Sequence, residues 1–429
     1  MGSSIRKYAL YLFVVILSAT LIYRDIGIVD INKFILVFMA LACAVFVEYN
    51  SVIYLLYFLF PLSCGIPGNY IYPLLIIILL YKHPKVGLGQ LFFFATVAIL
   101  ELMHYPFYCF DINIADVVGY LSIIYLVSYL IANNNAETDN SKCVIFYCLG
   151  VCVLFVAIIG CSFSLMGTEE MLEQSVRLGA VKGYGDMDET RMMLSANANN
   201  IAYYSITSIS CALILFYKKR INHLLFYIIL AISLAGGILS VSRTWMILIV
   251  LCFIFYGALQ KGNFVSLCLM FIVIAGGLTM FISSNELLLN MIIERFTGDS
   301  ENLATAGDRT LLFKEYNDYL LNHPLILFLG TGAVYYHDVT QCSNATHNSI
   351  QQIIVSYGLF GLSIFVGVFA RICKATFKGG GFIYWLPLIC AVFFLQSIQL
   401  LNPFFLMQPL AVVFAILKMS AVDVKTLTV

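Results

Sequence analysis

Long apolar runs, continuous rather than alternating, dominate this chain from Tyr8 onward. A segment that enters lipid must satisfy its backbone N–H and C=O groups without water, which leaves only helices and closed barrels. Barrel strands alternate apolar and polar residues, and these runs do not, so membrane helices are expected. The first run, Tyr8–Tyr23, follows Arg6 and Lys7. Others lie near 34–47, 51–64, 70–81, 88–103, 114–131, 143–165, 199–217, 221–240, 244–259, 264–282, 349–370, 382–398 and 403–418. Several fall short of the ~20 residues of a full span and are expected to be tilted, half-inserted or merged. With 62% hydrophobic and 11% charged residues, a soluble fold has too little polar surface to cover the rest. The expected architecture is an all-α polytopic integral membrane protein. It has about twelve to fourteen transmembrane helices in one transmembrane domain over 1–429.

The N-terminal run reads as an uncleaved first helix, because no convincing small-residue cleavage site follows it. The start MGSSIR also lacks the hydroxyl residue of a myristoylation signal. Basic residues fall on alternate turns: Arg6-Lys7, Lys82 with Lys85, Lys142, Lys218-Lys219-Arg220, Lys261, Arg371 with Lys374 and Lys378, and Lys418. The positive-inside rule makes these turns cytoplasmic and puts two polar loops on the outer face, a smaller one over 167–198 and a large one over 283–346. A loop as long as the second is expected to carry structure of its own and to act as an active-site lid.

Formal charge is zero, with 23 basic and 23 acidic residues, which gives no reason to expect a nucleic-acid partner. The 13 cysteines lie mostly within apolar runs without a CxxC pair or a Cys/His cluster, so they read as small core residues and no metal site is expected. Cys109 and Cys342 fall in outer loops, and spacing leaves open whether they pair. Asp186-Met187-Asp188 has the form of a cation-binding DxD but lacks the βαβ setting that would give it meaning. No nucleophile elbow, zinc-protease, Walker or dinucleotide motif occurs in a suitable context.

Chemistry concentrates at Thr346–Leu362, where His347 and Asn348 open an apolar run reaching Ala370. At 100° per residue His347, Gln351, Ile354, Gly358, Gly361 and Phe365 fall within about 40° of one line, giving one face with an imidazole, an amide and two glycines. A capping histidine above a small-residue packing face is one reading, and a functional histidine at a water-facing helix mouth is the other. Upstream, Arg309 precedes the amphipathic spacing of Leu312, Tyr316, Tyr319 and Leu320, which His323-Pro324 stops. Placed in the first turn of that helix, Arg309 and the free N–H groups would form a phosphate cradle; a surface arginine paired with Asp308 is the alternative. In Ser240-Val-Ser242-Arg243-Thr244-Trp245, Arg243 is either a snorkelling interfacial arginine beside a belt tryptophan or an anion ligand.

His-Asn, nine residues, Gly, two residues, Gly, here His347 and Asn348 through Gly358 to Gly361, resembles the pattern of the bacterial O-antigen polymerase and O-antigen ligase family. Arg243 in its Ser-Arg setting, Arg309 followed by His-Pro and Gly330-Thr331-Gly332, and more weakly Asn197, Asn199 and Asn200 resemble further parts of that family. The resemblance implies a GT-C-like helical membrane glycosyltransferase of the bacterial inner membrane, with its active site facing the periplasm. By that resemblance His347 and Asn348 would be catalytic, Arg243 and Arg309 would bind pyrophosphate, and Gly358 and Gly361 would be a helix packing motif. The implied reaction is polymerisation of O-antigen repeat units for lipopolysaccharide, with transfer of the glycan to lipid A-core as the alternative. Implied partners are an undecaprenyl-pyrophosphate-linked oligosaccharide, the lipid bilayer, and a chain-length regulator and flippase of the same pathway. No cofactor and no metal are expected. A transporter or flippase of lipid-linked sugar is the rival of another class. It lacks support because no internal repeat is visible and the polar residues gather in outer loops.

Overall fold

A computed structural model of the chain describes residues 2–64, 66, 68–83, 86–132, 138–165, 198–240, 242–259, 300–343, 346–377, 382–398, 400–401 and 408–427, with isolated positions between 265 and 283. The loop over 167–197 with its Asp186-Met187-Asp188, Asn197, most of the run 264–282, the first part of the 283–346 loop and Asn344 lie outside the described residues. Among the described residues there is no strand. The helices are α1 (Gly2–Asp25), α2 (Lys33–Phe46), α3 (Tyr49–Leu59), α4 (Gly68–Lys82), α5 (Leu88–Leu102), α6 (Ile114–Ala132), α7 (Asn140–Leu165) and α8 (Ala198–Tyr217). They continue as α9 (His223–Leu239), α10 (Arg243–Leu259), α11 (Ser300–Asn322), α12 (Pro324–Leu329), α13 (Tyr336–Thr340), α14 (Ser349–Phe377), α15 (Leu386–Phe394) and α16 (Gln408–Leu427).

Six of the described helical stretches are long and apolar enough to cross a membrane, and seven more apolar helices are shorter. The chain is an all-α polytopic membrane protein. Its described residues gather into two compact units: one of 1–67, 139–298 and 381–391, the other of 68–138, 299–380 and 392–429.

In the first unit α8, α9 and α10 are joined by hydroxyls rather than by apolar contact alone. Ser205 Oγ donates to the Ser233 carbonyl at 2.6 Å, and Ser233 Oγ donates to Ser208 Oγ at 3.0 Å. Such short side chains let helices approach closely while satisfying one another's polar groups, the usual adhesive where water is excluded. The basic trio Lys218-Lys219-Arg220 makes the tight turn between α8 and α9, with Lys219 left-handed (φ 53) and the Asn222 side chain capping α9 at the Leu225 N–H, 2.8 Å.

In the second unit the part of the 283–346 loop that is described is helical. Leu312, Tyr316 and Leu320 of α11, at the spacing of one helix face, are buried with Tyr336, Cys342 and Val355, and Ile326, Leu327 and Ile354 pack on this cluster. Burial pushes the Tyr316 and Tyr336 phenols above their ordinary value, so both serve as neutral core groups. Pro324 stops α11 and opens α12 at its first turn, where a missing N–H costs nothing. Cys109 and Cys342 are both free thiols.

Candidate active site

His347 is not part of α14. It precedes the helix in a left-handed conformation (φ 46), a backbone state uncommon for a non-glycine residue and here held by its surroundings. The imposition comes from both flanks. On the following side Asn348 is the cap: its Oδ1 accepts from the Ile350 and Gln351 N–H groups at 3.0 and 3.2 Å, and its carbonyl accepts from Gln352. The first amide of the helix, Ser349, donates instead to the Leu395 carbonyl at 2.8 Å. Every N–H of the opening turn is thus committed, and Asn348 fixes His347 through the backbone by holding the residue after it. On the preceding side Ser343 donates its N–H and hydroxyl to the two carboxylate oxygens of Glu315 on α11, at 2.9 and 2.7 Å. The Thr346 N–H reaches the Tyr336 hydroxyl at 3.4 Å.

The first turn of α14 is clamped laterally as well. Gln351 Nε2 donates to the Phe313 carbonyl at 2.9 Å and to Asn317 Oδ1 at 3.3 Å, both on α11. Ser349 Oγ donates to the Ile398 carbonyl and accepts from the Leu400 N–H, while Gln352 Oε1 accepts from the Leu401 N–H. His347 itself is half-buried. The result is a histidine on a rigid pedestal.

Three expectations from the sequence change here. The single line of His347, Gln351, Ile354, Gly358, Gly361 and Phe365 does not exist. His347 lies outside the helix, and α14 is broken at Gly358, whose φ 66, ψ −173 is open essentially to glycine alone. The break frees carbonyls that would have accepted from the next turn, and the Gly330-Thr331-Gly332 segment takes them: Thr331 N–H donates to Val355 O at 2.9 Å and Gly332 N–H to Ser356 O at 2.8 Å. Gly330 (φ 81, ψ −168) and Gly358 lie back to back. A Cβ on Gly330 would overlap the Ser356 backbone, and one on Gly358 the Phe328 backbone. Gly358 therefore packs on the short helix α12, whereas the space beside Gly361 is taken by Tyr357 of its own helix.

Arg309 is the third change. It does not open its helix, since α11 begins at Ser300 and carries Arg309 well inside it. Nothing between Ser300 and Arg309 breaks a helix strongly enough to delay the start, so the helix-dipole argument for a phosphate cradle at Arg309 falls away. The Arg309 side chain lies outside the described residues.

Arg243 belongs to the first unit, as the exposed first residue of α10. Two residues on, Trp245 is buried at 2% exposure rather than lying in an interfacial belt. Its Nε1 donates to Ser205 Oγ at 2.8 Å, and Gly237 leaves the space its ring occupies. With the tryptophan locked in, the arginine is presented outward at a defined place. Ser242 Oγ, beside it, donates to Asn199 Oδ1 at 3.4 Å, which brings Asn199 at the start of α8 to the Arg243 motif.

Residues 228–366 match the O-antigen ligase family model. The matched segment contains Arg243, Arg309, His347, Asn348, Gly358 and Gly361, and it supports the O-antigen ligase and polymerase family for this chain. It likewise supports a function of the ligase or polymerase type. No curated protein matches the chain.

One residue with a built environment went unnoticed in the sequence. Glu101, near the C-terminal end of α5, is wholly buried and accepts four hydrogen bonds, from the Ala333 and Val334 N–H groups and the Tyr105 and Tyr357 hydroxyls. Its only sequence signal is a carboxylate inside an apolar run, which by itself marks a residue with a task.

Proposed function

We propose that this protein is a periplasmic-face glycan polymerase of the bacterial inner membrane. It would move a growing chain from undecaprenyl pyrophosphate onto the non-reducing end of another lipid-linked repeat unit. The observation that carries this reading is His347, held left-handed and half-exposed on an immobilised backbone, inside a segment matching the O-antigen ligase family together with Arg243 and Arg309. Strained backbone that the surroundings over-determine is characteristic of residues placed for chemistry.

In the proposed reaction a sugar hydroxyl of the acceptor attacks the anomeric carbon of the donor glycan. The new glycosidic C–O bond forms as the bond to pyrophosphate breaks, the hydroxyl proton passes to His347, and undecaprenyl pyrophosphate leaves. An imidazole titrates in the range such a base needs, and the guanidinium groups of Arg243 and Arg309 would neutralise the leaving pyrophosphate bidentately. The reading requires all three residues to act on one donor molecule. Basic residues on alternate turns support the orientation that faces them outward.

A ligase is the second reading, and the description of the matched family favours it. Against it stands the composition of the 167–198 loop, which holds Arg177, Lys182 and Arg191 but also Glu169, Glu170, Glu173, Asp186, Asp188 and Glu189. A net acidic loop is a poor dock for heavily phosphorylated lipid A-core. The test is purified protein with a lipid-pyrophosphate repeat unit as sole substrate. A polymerase gives a ladder of longer lipid-linked chains; product that appears only after lipid A-core is added makes the protein a ligase.

A further inference from the structure

The carboxyl group of Glu101 sits where the apolar helix α5 ends, and its four donors come from three places in the chain. Oε2 accepts from the Ala333 N–H at 2.7 Å and the Tyr357 hydroxyl at 2.9 Å. Oε1 accepts from the Val334 N–H at 3.1 Å and the Tyr105 hydroxyl at 2.6 Å. Each oxygen therefore takes one main-chain amide and one phenol. Around this centre the Tyr357 and Tyr120 hydroxyls bond to each other, the Tyr108 hydroxyl donates to the Thr331 carbonyl, and Thr331 and Gly332 donate to the broken end of the first half of α14.

The division between the two oxygens identifies the chemistry required. A phenol can reverse its role and accept where it donated, but a main-chain N–H cannot. Two amides on two different oxygens need an acceptor on both, which the carboxyl group of a glutamate supplies and a glutamine of the same shape does not. The glutamine amide would set its NH₂ against one of the two N–H groups. A buried carboxylate is costly unless fully satisfied, and here each of its oxygens has two donors.

We propose that Glu101 is the positioning residue for the Gly330–Val334 segment. It would pin that segment to the break in α14, and so fix the scaffold from which Tyr336 and α14 present His347. Glu101 lies outside the segment matched by the family, and its four hydrogen bonds described above go to Tyr105, Ala333, Val334 and Tyr357, not to the residues assigned to the reaction. Its importance for glycan transfer rests on the function proposed above, but the pinning itself does not.

Full-length protein in lipid nanodiscs, wild type against Glu101→Gln, Glu101→Asp and the double variant Tyr105→Phe/Tyr357→Phe, tests both parts. Amide hydrogen exchange across 331–336 is expected to quicken about tenfold in Glu101→Gln, the effect of losing one buried hydrogen bond. It should quicken less in Glu101→Asp, and least in the double phenylalanine variant, which keeps both amide bonds. With a lipid-pyrophosphate repeat unit, kcat should fall in Glu101→Gln with KM within about twofold, and Glu101→Asp should recover part of it. Unchanged exchange in Glu101→Gln, or equal loosening in the double phenylalanine variant, overturns the pinning role. If Glu101→Gln does not fold, exchange in the double variant alone decides: protection close to wild type supports the carboxylate–amide clamp, and its loss refutes it. A loosened loop in a protein whose wild type transfers no glycan would sink the proposed function and leave the clamp standing.

Discussion

Replacing Gly358 by alanine tests the interlocked glycines directly. The residue would have to hold φ 66, ψ −173, a region closed to residues with a Cβ, at a cost of about 1–3 kcal/mol. The added methyl would also overlap the Phe328 carbonyl, which is main chain and cannot rotate aside. Relief requires α12 to withdraw, which weakens the Thr331-to-Val355 and Gly332-to-Ser356 bonds, each worth about 1 kcal/mol. The expected loss is about 3–5 kcal/mol, or roughly three to six degrees in the melting temperature of a chain this size. Gly367→Ala, in the same helix with open space around it, is the control; it should be neutral or stabilising by up to about 1 kcal/mol. Thermal denaturation in detergent, followed by the fraction that stays monodisperse, reads both. If Gly358→Ala melts within about 2 °C of wild type while Gly367→Ala does the same, the break is not held by the backbone contact described.

His347→Ala should lower glycan transfer by about 10²–10⁴ while leaving folded yield and donor binding near wild type, and full activity would remove the imidazole from the chemistry. Arg243→Lys should also be defective in transfer, because an ammonium cannot reproduce the planar fork on phosphate oxygens; wild-type turnover would mark Arg243 as an interfacial anchor. Glu315→Ala removes both bonds to Ser343. It should reduce turnover with little change in melting temperature, since the pair is exposed and its effect lies in holding the approach to His347. Trp245→Phe should destabilise the protein by about 1–3 kcal/mol through the lost bond to Ser205 and a smaller ring, readable in the same melting assay.

The helical membrane class was legible because continuous apolar runs admit almost nothing else. The face of Leu312, Tyr316 and Leu320 was legible because spacing alone sets it, and all three are buried. The start of α11 was not, because no strong breaker separates Ser300 from Arg309 and the polar first turns gave no periodic signal. The break at Gly358 was hidden for a different reason. An isolated glycine in an apolar run usually continues the helix, and only the arrival of α12 and its Gly330 turn makes the broken form the better one. The left-handed state of His347 likewise comes from tertiary contacts on both sides of it, which no local pattern encodes. Glu101 was visible as a letter, but its partners come from residues 333, 334 and 357, far along the chain.

The break in α14 also divides a buried half-helix from an exposed one. Before it, from Gln351 to Tyr357, the helix is buried almost all round, with Gln351, Gln352 and Ser356 inside the protein. Directly after it Leu359 and Phe360 are exposed, and Val366 further on. The stretch from Leu359 to Phe377 is about 28 Å long at 1.5 Å per residue, close to the ~30 Å thickness of a bilayer's hydrocarbon. An apolar span read from surface exposure would therefore begin at Gly358 rather than at Ser349. With that stretch taken as the span, His347 would stand clear of the acyl chains by the length of the shorter half-helix, at the height where a lipid's headgroup rather than its tail would meet it.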